Sequence, residues 1–148
     1  MPVFVNKLKI TDDEVHNEMH HHPAPSVDEA RKQASRALII RRLLLEAASQ
    51  KDLVTFEELT TLDKSREESV IELLIADVIR VPTADDATCK RYYEQHLDRF
   101  ADKRTGEILP YTLVRSHIKV YLEDKGHMSA FNAYIDDLMD KANIVELL

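Results

Sequence analysis

The chain has 148 residues, enough for one domain with a real core. Apolar residues make up 44% and charged residues 32%, the balance of an ordinary folded protein and not of a disordered one. A net charge of −7 speaks against nucleic acid as a partner, because phosphate binding needs a basic surface, and two glycines with no tryptophan favour helices over a turn-rich β-sandwich.

Val3–Val5 and Leu8–Ile10 are short β-prone runs around Asn6-Lys7, and Asn tolerates the positive φ of a tight hairpin turn. An isolated hairpin is barely stable, so a third strand or a helix is required. Thr11 with Glu14 forms a capping box that opens a helix, with Val15 and Met19 on its apolar edge. His20-His21-His22 and then Pro23 and Pro25 end it. Ser26 with Glu29 starts a long helix to Ser49, in which Ala30, Ala34, Ala37, Leu38, Leu44, Leu45 and Ala48 recur at helical spacing. Through ALII and LLLEAA the apolar face spreads round the circumference, so this helix needs neighbours on more than one side. The basic cluster Arg31, Lys32, Arg36, Arg41 and Arg42 reads as its solvated side.

Residues 51–65 read as a loop with one helical turn at Phe56–Leu59. Ser65 with Glu68 starts a helix whose stripe is Val70, Ile71, Leu74 and Val78. Thr83 starts another, with Cys89, Tyr92, Tyr93, His96, Leu97 and Phe100 at the spacing of one buried face. After a polar segment, Pro110 opens a last long helix with the stripe Val114, Ile118, Tyr121, Leu122, Met128, Ile135, Leu138 and Met139. Gly126 inside it marks a bend, and Asn143 is a helix stop. The β-prone tail from Ile144 to Leu148 supplies the hairpin's missing strand and joins the two chain ends.

The order KLKITDDEV, HHPAPSVDEARKQASRALIIRRLLLEAA and VPTADDATCKRYYEQHLDRF resembles the N-terminal region of parvulin-type peptidyl-prolyl isomerases, the SurA-like and NifM-like foldases. The segment from Leu109 to Leu147 is similar to their C-terminal helix and final strand. The resemblance implies a mainly α fold: one SurA N-terminal-like helical domain over residues 1–148, with a small β-element formed by the N-terminal hairpin and C-terminal strand. Residues 1–100 are its N-terminal part, 101–109 a short linker and 110–148 the C-terminal helix and strand. In the family an isomerase domain of about a hundred residues is inserted at that linker. Here the linker holds no glycine-rich segment, and His117 in RSHI keeps helical spacing with its neighbours. The resemblance therefore implies the chaperone half of a foldase, not an enzyme, that binds non-native or partner polypeptides, including a dedicated metalloenzyme subunit for a NifM-like protein.

A polypeptide-binding groove needs apolar, adaptable side chains, and Tyr92, Tyr93, Met128, Phe131, Tyr134 and Met139 are its candidates, each weighed against a place in the core. Phe131 and Tyr134 lie beside the main stripe and are the better ones. His16 and His20, four apart on a helix, are the candidate metal ligands, set against solvated histidines. Cys89 on an apolar face reads as a small core residue, and Asp85-Asp86 and Asp136-Asp137 point apart as acid–base pairs. No cofactor is expected. With no signal-peptide h-region and no membrane-length apolar run, the expected location is the cytoplasm. The short linker also suits docking of the C-terminal helix on a second copy, hence a homodimer, as a scaffold whose histidine-rich segment binds metal in the alternative reading.

Overall fold

A computed structural model describes residues 2–146. The chain is mainly helical with a three-stranded antiparallel sheet, and it divides into two compact units, Met1–Val78 with Tyr134–Leu148, and Ile79–Ala133.

In the first unit, β1 (Val3–Val5) is the central strand, flanked by β2 (Leu8–Ile10) and β3 (Ile144–Glu146). Val3 pairs with Ile10 on one side and Glu146 on the other, and Val5 with Leu8 and Ile144. The tail thus completes the hairpin as expected, as far as Glu146; Leu147 and Leu148 lie outside the described residues. Strand alternation turns Val3 and Val5 into the core. The turn holds Asn6 at φ 48° and Lys7 at φ 72°, the doubly left-handed backbone of a two-residue hairpin.

Thr11 and Glu14 cap α1 (Asp12–Met19) reciprocally, as the sequence predicts. Ser26 caps α2 (Val27–Gln50) by accepting from the Glu29 N–H at 3.1 Å. Helix α2 packs on α1, on β1 and on α3 (Lys64–Val78), and buries Leu43, Leu44 and Leu45 in succession, which only a helix with neighbours on several sides can do. It ends in a Schellman motif: Asp52 stands at φ 60°, and the Asp52 and Leu53 N–H groups reach back to the carbonyls of Ser49 and Ala48. One turn of 3₁₀ helix, Glu57–Thr60, follows. The cap of α3 is Asp63 and not Ser65. Its carboxylate accepts from the Arg66 N–H at 2.7 Å, while Ser65 lies inside the helix, because an Asp two residues upstream caps as well as a Ser.

In the second unit, α4 (Asp86–Gln95) starts later than the sequence suggests. Asp85, not Thr83, caps it by accepting from the Thr88 N–H at 2.7 Å, and hydrogen bonds from the Thr88 side chain and then its N–H hold the Asp85 carboxyl below its ordinary value. The helix ends at His96, and Leu97–Phe100 is a 3₁₀ turn, so the expected face breaks and Leu97 is exposed. Residues 101–109 form a turn inside this unit, closed by an Ala101–Ile108 bridge and by Gly106 at φ 76°. The last helix, α5 (Tyr111–Lys141), is continuous through Gly126 and carries residues of both units. A side chain in place of Gly126 would bring its Cβ to 2.9 Å from Val81 Cγ1, so the glycine lets the 79–85 segment lie close to the helix. The second core is Cys89, Val114 and Ile118 under a lid of half-buried aromatics. Tyr121 and Met128 are not in it; both are exposed, because the buried side of α5 in this unit is narrower than the stripe suggests.

Candidate functional site

The first unit carries an open groove of about 920 Å³ where α1, α2 and the end of the sheet meet. Its floor is apolar: Val3, Val15 and Ile39, all buried, and the half-buried Met19. One wall is α2, where Arg31 and Lys32 stand exposed in succession and Arg36 stands exposed one helical turn beyond Lys32. The opposite wall is acidic, from Asp12 and Asp13 in the first turn of α1 and Glu146 on β3. Capping fixes that wall in place, since carboxylates are favoured at a helix N-terminus.

The walls are held at their spacing from behind. Glu18 of α1, its side chain only 12% exposed, lies 3.1 Å from His22 Nε2 and 3.7 Å from Arg41 of α2. Arg42 reaches Glu14 at 4.0 Å. The five clustered cations of α2 therefore divide: Arg41 and Arg42 bind α1, and Arg31, Lys32 and Arg36 line the groove. Arg31 meets Asp28 at 3.9 Å, but with side chains 57% and 87% exposed that pair is worth little and leaves the wall cationic. The sequence reading gave all five one role, as a solvated side. The signal missed was the cluster itself, facing a helix whose first turn is acidic.

The predicted groove residues fall elsewhere. Tyr92 and Tyr93 pack on the second core and against Phe100 and Tyr111, and Tyr93 stacks on Tyr111 with centroids 5.5 Å apart. Their hydroxyls are engaged: Tyr93 donates to the Leu109 carbonyl at 2.6 Å, and Tyr92 accepts from Arg99 at 2.8 Å. Tyr111 donates to Asp86 at 2.7 Å, and its phenol is pushed up to about 12 by burial and then by the Asp86 carboxylate. Met139 packs against the first core. Phe131 in the second unit and Tyr134 in the first are half-buried, and burial raises the Tyr134 phenol, with Asp137 and Asp77 adding to it. Met128 alone of the six stands well out, 65% exposed.

His16 and His20 share one side of α1, their rings edge to face with centroids 5.7 Å apart, and His16 lines the groove. Among the described residues no group of three or more His, Cys, Asp or Glu gathers as a metal site would require. Cys89 is buried, its thiol 3.9 Å from the Ala84 carbonyl. A second cleft, of about 720 Å³, lies in the second unit between the 79–83 segment, with Ile79, Val81 and Pro82, and Glu123, Asp124 and His127. No helix of the described residues is long and apolar enough to cross a membrane.

No family model, no curated protein and no solved structure matches this chain.

Proposed function

We propose that the protein is a non-catalytic, chaperone-like or accessory module that holds a stretch of non-native or partner polypeptide in the groove of its first unit. The observation that carries this reading is the groove's make-up: a floor of aliphatic side chains between a cationic and an acidic wall. An extended peptide offers what such a groove takes, apolar side chains for the floor and charged ones for the walls, with no fixed sequence needed. The volume is in the range that buries several side chains of a ligand. Met19 at the floor is unbranched and adapts its shape to different occupants. The resemblance to the chaperone portion of SurA-like foldases points the same way, and a NifM-like role toward one dedicated client is a narrower form of it. The cytoplasm is the proposed location.

The test is light scattering from a chemically denatured client diluted with and without one equivalent of the protein. The reading expects suppression by the native protein. It expects suppression to fall when Arg31, Lys32 and Arg36 are all changed to Glu, with the helical circular dichroism unchanged. Suppression that survives the triple change would remove the groove from the function. A homodimeric scaffold is the second reading, favoured by a different observation: the exposed apolar residues of α5 in the second unit.

A further inference from the structure

Helix α5 buries Val114 and Ile118 in the second core. Away from that core Leu113, Val120 and Met128 are 63, 57 and 65% exposed, and Tyr121, 44% exposed, stands at its edge with its ring 5.6 Å from that of Tyr92. Leu113, His117, Val120, Asp124 and Met128 follow one another at intervals of four, three, four and four, so they form a single strip along the helix. From Leu113 to Met128 it runs about 22 Å at 1.5 Å per residue. Exposed apolar residues scattered singly need no explanation, but three large ones in line on one strip, with Tyr121 beside them, mark an interaction surface.

We propose that this strip is the contact between two copies of the chain, packed antiparallel about a two-fold axis beside Val120 and Tyr121. The inference is independent of the groove and develops the scaffold reading by naming the interface and its geometry. The strip is complementary to itself when reversed. The axis sets Leu113 of one copy opposite Met128 of the other, Val120 beside Tyr121, and His117 opposite Asp124. The two polar residues of the strip thereby meet as an imidazole and a carboxylate, twice per dimer, and the apolar ones meet each other. Other arrangements lose this match. A parallel pairing in register sets Asp124 against Asp124, like charge on like charge. Sliding the antiparallel pair by one turn in either direction sets Asp124 on Leu113 or on Val120, where the carboxylate is desolvated without a partner. The strip is short, so the dimer it supports is a weak one, populated at micromolar concentration and above.

Sedimentation velocity over a concentration series reads the mass, and a species approaching twice 17.1 kDa is expected. Val120→Glu should weaken association by about a hundredfold, since a carboxylate then stands unpaired at the centre of the contact. His117→Asp or Asp124→His alone should weaken it by about tenfold, and the two together should restore it, which a merely structural role for either residue would not do. Leu113→Cys with Met128→Cys in one chain should give an oxidised covalent dimer, because the two sites are too far apart to bridge within a chain. Leu113→Cys alone should not, and if it cross-links, the pairing is parallel and the proposal falls. A monomeric mass at about 100 µM, or a dimer indifferent to Val120→Glu, overturns it equally.

Discussion

At the scale of single residues, Asn6 does the most joining. Its N–H donates to the Asn143 carbonyl at 2.8 Å, its Oδ1 accepts from the Asn143 N–H at 2.8 Å, and its Nδ2 donates to Glu46 of α2 at 3.0 Å. One side chain thus ties the hairpin turn to the strand from the far end of the chain and to the central helix. Asn6→Ala removes two side-chain bonds and the side chain that best tolerates φ 48°, and thermal or urea unfolding should show a loss of about 2 kcal/mol. Lys7 is the opposite case, since its left-handed backbone gains nothing from the side chain. Lys7→Gly should stabilise by about 1 kcal/mol, and a loss instead would mean that the lysine makes a contact of its own. The Tyr111 phenol, raised to about 12, gives a spectroscopic handle. Its folded value lies above its unfolded value near 10, so the stability it contributes is present below pH 10 and is lost as pH rises toward about 12. Tyrosinate absorbance should therefore show a step toward about 12, and Tyr111→Phe should delete it. Titration of Tyr111 near 10 would contradict its burial and its bond to Asp86.

At the scale of elements, Gly126 shows how an ordinary helix rule is overridden by a neighbour. Ala at an exposed mid-helix position gains about 1 kcal/mol over Gly. Here the added Cβ meets Val81 at 2.9 Å, so Gly126→Ala should give less than that gain or a net loss. In a Val81→Ala background the full gain should reappear, and additive effects in this cycle would refute the contact. The case also shows what was legible. Local signals that act within a few residues were readable: the reciprocal cap at Thr11, the hairpin turn at Asn6-Lys7, the β-prone tail, and the all-round apolar α2. The errors lie where two local signals compete or where a distant partner decides. Asp63 and Ser65 are both good caps, as are Asp85 and Thr83, and spacing does not rank them. The α2 stop was read to within one residue, at Ser49 against Gln50, although an Asp and not a Gly takes the left-handed position after it. The stripe of α5 was read at full width because its pattern does not tell which apolar residues a neighbour covers in each unit.

At the scale of the whole molecule, the candidate site is a product of tertiary placement. Its floor comes from β1, α1 and α2, and its walls from helices whose charges look like separate solvated surfaces in one dimension. Of the aromatic residues that suggested a binding surface, Tyr92 and Tyr93 pack on the second core, because tyrosine in a small unit serves both as packing and as a hydrogen-bonding clasp. Of the six candidate groove residues, Tyr92, Tyr93 and Met139 pack against a core, and the proposed address of the function moves to the groove, which becomes the central claim. That claim is tested most directly by the affinity of a labelled, unfolded peptide carrying leucines and aspartates, followed by fluorescence anisotropy against the native protein and against the Arg31→Glu, Lys32→Glu, Arg36→Glu variant at low and moderate salt. The account predicts saturable binding that weakens with salt and falls by at least about tenfold in the variant. Equal affinity for both proteins, or no binding by the native one, would contradict it.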